Sequence, residues 1–421
     1  MHGEFLLGAG AVLAALALAG ILFARLGQSV VPAFILLGLA LRPVGLDQEL
    51  VDVLATLGVA LLLFFMGLEF SLRALLENRR RIVRGGLVDL AFCFPLGLAA
   101  GLAFGWGIEG ALILAGAFYV SSSAIIAKGV IDLERTANPE TETALGVLVF
   151  EDLFVALLLA LLSGAVLAGE PSAGSVLRGI GIAAAFFAVF VVIALRAERV
   201  LDWALDLESD DLLLLAVGGL VLLLSAAALA AGLSEAIGAF LAGVVLAETR
   251  HRERVERLFA PLQGVFAAVF FLAFGLSLDP ARFAGVWPQA LGLAVLGIAA
   301  KVAGGYRAGL ADGLSKRGAL ALGLTLVPRG EFSILLAGVA ATAGLAEVNA
   351  AIGLMVLALS LAGTATMQYA PRIAQRVFPR KGPRPPLPDY VLGPPTSDEE
   401  APSGAPGPPG SGGEPPARPQ S

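Results

Sequence analysis

The chain has one cysteine, Cys93, and two histidines, His2 and His251, among its 421 residues. A single cysteine excludes an internal disulfide and gives no basis for a cysteine-ligated metal site. No helical pair of histidines and no glycine-rich phosphate loop occurs, so we expect no cofactor. No constellation of nucleophile, base and metal is visible, and neither an enzyme nor a nucleic-acid partner is expected.

Charge is also scarce. Charged residues make up 15% of the chain and hydrophobic residues 57%, with a mean hydropathy of +0.86. A soluble domain cannot cover that much apolar surface with its polar residues, whereas a lipid bilayer can. The composition therefore predicts an integral membrane protein, placed as a multi-pass protein in the cell inner (plasma) membrane.

Apolar stretches of about 20 residues, the length that spans the hydrocarbon core, recur along residues 1–370. They predict an all-α polytopic fold of about thirteen transmembrane helices. The predicted spans are 5–24, 28–45, 51–70, 85–107, 109–131, 142–168, 175–200, 211–231, 234–249, 258–278, 287–311, 317–344 and 347–370.

The basic residues predict the topology. With the N-terminus outside, 23 of the 28 Lys and Arg fall in inner segments, which is the bias of a correctly oriented membrane protein. The outer loops hold Arg42, Arg178 and Arg282, while Lys301 and Arg329 lie inside spans. We therefore expect a membrane domain over residues 1–380 and a cytosolic C-terminus.

Residues 381–421 are rich in Pro, Gly, Ser and acids and contain few large apolar residues. Such a composition predicts a disordered cytosolic tail, with no further domain after it.

An adjacent pair of acids, Glu151 and Asp152, lies near the middle of the span predicted at 142–168. Neighbouring residues on a helix point about 100° apart, so one acid can face a cavity while the other faces a helix. A carboxylate at that depth binds a proton or a cation but not both well, which is the minimum requirement for exchange. The alternative is a salt bridge that ties helices together.

Lys301 lies well inside the span predicted at 287–311. A buried ammonium needs a carboxylate partner, and Glu151 is the unmatched acid that the sequence offers. The alternative is that Lys301 extends to the cytosolic surface.

Two spans are predicted to be broken, since hydroxyl residues interrupt the span at 109–131 and proline and glycine interrupt the span at 317–344. Charged residues at broken helices are typical of ion sites in transporters, although serines also bridge helices and a lone proline also kinks them. The residues at the breaks are Ser121, Ser122, Ser123, Pro328, Arg329, Gly330 and Glu331.

Three-helix units with a broken helix at each centre, at about 85–168 and 287–370, predict inverted repeats.

Six segments, in order along the chain, resemble the monovalent cation:proton antiporter-2 family, the Kef-type or sodium–proton antiporter-like membrane domain. These segments begin at Phe64 (FFMGLEF), Ser121 (SSSAIIA), Phe150 (FED), Ile237 (IGAFLAGVVLAE), Phe271 (FLAFGL) and Arg329 (RGEF). The resemblance covers about residues 5–370.

The resemblance implies a homodimer with a mobile core, spans about 85–168 and 287–370, and a dimerisation domain, spans about 5–70 and 211–278. It implies that Asp152 is the main ion carrier and that Glu151 pairs with Lys301. It also implies that nucleotide gating, which full Kef proteins place in a cytosolic domain, is absent here unless a separate subunit supplies it.

The expected function is secondary active antiport, in which a monovalent cation, Na+ or K+, is exchanged for protons by alternating access. Glu151, Asp152 and the three serines form the expected cation and proton site, with Asp152 as the transient ligand of the cation. Two alternatives remain: a gated K+ efflux channel on the same fold and a non-transporting membrane sensor.

Overall fold

The computed structural model describes residues 2–44, 48–69, 72–167, 198–231 and 235–379, with isolated positions between 181 and 196. This described part is helical and contains no strand, which confirms the all-α prediction. The tail predicted at 381–421 and most of the span predicted at 175–200 lie outside the described residues.

The described helices are numbered here along the chain. They are α1 His2–Arg25, α2 Val31–Leu41, α3 Gln48–Glu69, α4 Leu72–Ala103, α5 Gly107–Tyr119, α6 Ser123–Asp132, α7 Pro139–Leu167, α8 Glu198–Ala204, α9 Asp210–Ala230, α10 Glu235–Ala247, α11 Arg252–Ser277, α12 Pro280–Ala311, α13 Lys316–Thr325, α14 Glu331–Thr342 and α15 Ala346–Val377. A short 3-10 turn, Arg42–Val44, follows α2.

The helices have the length and composition of membrane spans. Seven stretches among the described residues are long and apolar enough to cross a bilayer, and four shorter apolar helices accompany them. The fold is therefore that of a polytopic membrane protein, as predicted. The total of thirteen crossings and the side on which each terminus lies stay predictions.

The helices pack in two groups. Helices α1–α3 pack with α9–α11, and we call this group the scaffold bundle. Helices α4–α7 pack with α12–α15, and we call this group the crossing bundle. Within the scaffold bundle, Gly67 faces Gly243 and Gly38 faces Gly275 so closely that a Cβ on any of them would meet backbone atoms of the facing helix. Such close backbone approach ties α3 to α10 and α2 to α11.

Both predicted helix breaks are present in the crossing bundle. Helix α5 ends at Tyr119 and α6 begins at Ser123, while α13 ends at Thr325 and α14 begins at Glu331. Ser122 has extended backbone, and its hydroxyl accepts a hydrogen bond from the backbone N–H of Ile125, which caps α6. In the second break, Pro328 lacks the N–H that a continuous helix would use.

Candidate functional site

The two unwound segments cross one another inside the crossing bundle. The backbone N–H of Ser122 donates to the carbonyl oxygen of Pro328 at 2.9 Å, which joins the first break to the second. Gly330 lies so close to Ser122 that a Cβ at position 330 would overlap the serine side chain. The crossing brings four helix ends together: the C-terminal ends of α5 and α13 and the N-terminal ends of α6 and α14.

Arg329 binds the C-terminal ends of the two broken helices. Its guanidinium donates to the carbonyl oxygen of Phe118 in α5, at 2.8 Å from Nη2 and 3.1 Å from Nε. Its Nη1 donates to the carbonyl oxygen of Val327 at 2.9 Å, just after α13. The last carbonyls of a helix have no partner inside the helix and carry partial negative charge. Arg329 is fully buried, so its positive charge is balanced by these carbonyls.

Glu331 interacts with the N-terminal ends of α6 and α14, where its negative charge is favourable. It is the first residue of α14, and its Oε1 accepts from the backbone N–H of Ala124 in α6 at 3.3 Å. Its Oε2 accepts from the hydroxyl of Ser122 at 2.7 Å. The free N–H groups at a helix start carry partial positive charge, which an acid stabilises. Arg329 and Glu331 thus stabilise the crossing electrostatically.

Lys301, on α12, lies between two acids. Its Nζ is 2.8 Å from Glu151 Oε1 on α7 and 2.5 Å from Asp89 Oδ2 on α4, and all three side chains are fully buried. The Lys301 ammonium also lies 4.8 Å from the centre of the Tyr119 ring. Lys301 therefore does not extend to the surface, and it contacts the acid that the sequence offered as its partner.

Asp89 is a site residue that the sequence analysis does not predict. Lys301 contacts two acids, Glu151 and Asp89. The predicted span began at residue 85, which placed Asp89 near a membrane edge, where an acid needs no explanation. Helix α4 begins instead at Leu72, and Asp89 lies about 25 Å along it. The available signal was an acid flanked by apolar residues in a helix whose arginines are all upstream.

Glu151 is held by further contacts with the first break. It accepts a hydrogen bond from the backbone N–H of Ser121, and the Ser121 hydroxyl lies 3.3 Å from Glu151 Oε1. With Lys301 on the same carboxylate, Glu151 is fully engaged by protein groups.

Asp152 has a different environment, as the 100° offset between neighbouring helical residues predicts. It is partly exposed, and its Oδ2 lies 3.2 Å from the hydroxyl of Ser123. Its Oδ1 is buried and has no hydrogen-bond partner among the described residues. No Lys or Arg of the described chain forms an ion pair with it. Asp152 is therefore the acid of the pair that is left available to bind an ion.

The three serines of the first break have separate roles. The Ser121 hydroxyl donates to the carbonyl oxygen of Leu326 at 2.8 Å, and the Ser122 hydroxyl donates to Glu331. Both serines are buried, whereas Ser123 is partly exposed and contacts Asp152. Of the three predicted serine ligands, the geometry thus brings Ser123 to the free carboxylate. Across the described residues, no cluster of three or more His, Cys, Asp or Glu side chains suited to a resident metal ion occurs.

Comparisons with known proteins agree with this architecture. Residues 11–370 match the family described as sodium/hydrogen exchanger, transmembrane. The K(+)/H(+) antiporter subunit KhtU of Bacillus subtilis is 36% identical over 377 residues, covering 86% of this chain and 93% of that protein. The ammonium/H(+) antiporter subunit AmhT of Alkalihalophilus pseudofirmus is 33% identical, covering 89% and 96%.

The fold is also similar to a solved structure. The sodium proton antiporter MjNhaP1 from Methanocaldococcus jannaschii aligns with a TM-score of 0.69 at 14% identity, covering 90% of this chain and 100% of that one. The resemblance inferred from six sequence segments is confirmed, as is the prediction that the chain is not an enzyme. The chain belongs to the transmembrane sodium/hydrogen exchanger family.

Proposed function

We propose that this protein exchanges a monovalent cation, Na+ or K+, for protons across the plasma membrane, with Asp152 as the ion carrier. The observation that carries the proposal is the contrast within the adjacent acid pair. Glu151 is paired with Lys301, whereas Asp152 is partly exposed, has one unpartnered oxygen and lies at the crossing of two broken helices.

The contrast between the two acids explains how cation transport is coupled to proton transport. A bare carboxylate is strongly disfavoured in a low-dielectric barrier, whereas a protonated or cation-bound carboxylate has lost its net charge. Asp152 has no fixed positive partner in the described chain, so a proton or a cation must supply that compensation. Both ions compete for one side chain, and only its loaded forms cross the barrier. Net transport therefore requires an inward crossing with one ion and an outward crossing with the other.

Alternating access requires one part of the protein to move against another. The division into scaffold and crossing bundles supports this, since the carrier and both helix breaks belong to the crossing bundle. We assign the crossing bundle, spans about 85–168 and 287–370, as the moving core. We assign the scaffold bundle, spans about 5–70 and 211–278, as the fixed part through which two copies dimerise. Helix α1 exposes many of its large apolar side chains, which lipid or a second copy of the chain must cover.

The test is cation-dependent proton flux in proteoliposomes that contain the purified protein. Addition of NaCl or KCl should release protons from acid-loaded vesicles, as followed with a pH-sensitive dye, and choline chloride is the control. Repeating the assay with a clamped membrane potential distinguishes electroneutral from electrogenic exchange. Cation flux that proceeds without stoichiometric proton flux would favour the channel, and absence of both fluxes would favour the sensor.

Removal of the tail should leave transport intact. Residues 381–421 have the composition of a disordered segment and lie beyond the last predicted span. We expect a chain ending at Arg380 to retain the wild-type rate and cation dependence, and added NAD or glutathione adducts to change neither. The check is the proteoliposome assay on both forms. A large response of the purified full-length chain to a nucleotide would contradict this prediction.

A further inference from the structure

The hydroxyl of Ser123 is shared between two carboxylates. Its oxygen lies 3.2 Å from Asp152 Oδ2 and 3.3 Å from Glu331 Oε1. A serine hydroxyl carries one hydrogen and two lone pairs, so it donates to one of these acids at a time. Both distances exceed the roughly 2.7–2.8 Å of a settled O–H to O hydrogen bond. Ser123 thus occupies a position between two acceptors.

The two acceptors differ in what else holds them. Glu331 is buried and kept in place by the Ser122 hydroxyl at 2.7 Å and the Ala124 N–H at 3.3 Å. Asp152 is partly exposed and has an unpartnered oxygen. Glu331 is thus a permanent acceptor, whereas Asp152 is an acceptor that changes when an ion binds to it.

A cation on Asp152 changes the direction of the Ser123 hydroxyl. A metal cation is bound by oxygen lone pairs and repels the partly positive hydrogen of a hydroxyl. If the Ser123 hydrogen points at Asp152 when the cation arrives, it opposes binding. If the hydrogen rotates to Glu331, a lone pair of Ser123 turns toward the cation. The rotation requires no movement of the backbone.

We propose that Glu331 is a positioning residue for cation binding. It accepts the hydroxyl hydrogen of Ser123 when a cation binds to Asp152, so that Ser123 becomes a ligand. In the empty site the same hydrogen stabilises the Asp152 carboxylate. This inference rests on the proposed function, and it assigns Glu331 a role in ion affinity in addition to its role at the helix starts.

The inference is tested by the concentration of Na+ or K+ that gives half-maximal proton flux in proteoliposomes. Glu331→Gln replaces a charged acceptor with a weaker neutral one. We expect the half-saturating concentration to rise about fivefold, the ratio expected when a charge-assisted hydrogen bond becomes a neutral one. The rate at saturating cation should fall by less than this factor.

A double-variant comparison separates this role from a purely structural one. Ser123→Ala should also raise the half-saturating concentration, and Glu331→Gln should then add no further increase, because the shared hydroxyl is gone. Ser123→Thr keeps a hydroxyl and should restore both the affinity and the sensitivity to Glu331→Gln. The matched control is Ser122→Ala, which removes the other hydroxyl on Glu331. In that background Glu331→Gln should still raise the half-saturating concentration.

Equal increases from Glu331→Gln with and without the Ser123 hydroxyl would overturn the inference. If Glu331→Gln does not fold, as judged by size-exclusion chromatography in detergent, the comparison of Ser123→Ala with Ser123→Thr provides the test. Equal half-saturation in Ser123→Ala and Ser123→Thr would then overturn it. The absence of cation-coupled proton flux in the wild type would instead overturn the proposed function, so the two failures are distinguishable.

Discussion

Replacement of Asp152 with asparagine is expected to abolish exchange while leaving the protein folded. The change keeps the side-chain volume and removes the charge that alternates between proton and cation. Proteoliposomes with Asp152→Asn should show proton flux near that of empty vesicles at any Na+ or K+ concentration. Retention of more than a small part of the wild-type flux would show that Asp152 is not the carrier.

The same variant should be at least as stable as the wild type. Asp152 has no positive partner in the described chain and one unpartnered oxygen, so its removal breaks no ion pair. Thermal unfolding in detergent should give an equal or higher midpoint, and size-exclusion chromatography should be unchanged. Asp132→Asn is the matched control, because it makes the same chemical change at an exposed carboxylate. This control should retain flux.

Replacement of Lys301 with alanine is expected to destabilise the protein by about 3–5 kcal/mol, because it leaves buried carboxylates without their counter-ion. Lys301 contacts two acids, Glu151 and Asp89, so the loss affects both. Adding Glu151→Gln should recover part of the stability, and adding Asp89→Asn as well should recover more. Each coupling should amount to about 0.5–3 kcal/mol, as is usual for residues in contact.

Thermal unfolding in detergent of the single, double and triple variants provides the measurement. Lys128→Ala is the control, because Lys128 forms an exposed ion pair with Asp132 at 3.5 Å. Exposed pairs contribute about 0–1 kcal/mol, so this variant should unfold close to the wild type. Additive effects of Lys301→Ala and Glu151→Gln would mean that this pair is not energetically coupled.

Much of the site could be inferred from residue types at membrane depth. Lys301 and Glu151 carry opposite charges in apolar spans. Burial of either charge without a partner is strongly unfavourable, so the sequence predicts contact between them. The helix breaks could also be predicted from the sequence, because Pro328 and the run of serines disfavour a continuous helix locally. These inferences succeeded because each depended on a local pattern or on a large desolvation penalty.

The composition and periodicity of the sequence determined by themselves that this chain is an all-helical membrane protein with two interrupted spans and an acid pair at depth. The tertiary structure decided which groups meet. Asp89 contacts Lys301, the Ser122 hydroxyl donates to Glu331, and Ser123 lies beside Asp152. Several of these contacts join residues more than 200 positions apart, such as Ser122 with Glu331 at a separation of 209 and Lys301 with Asp89 at 212. Local sequence does not specify these contacts, because they form only when helices distant in sequence pack together.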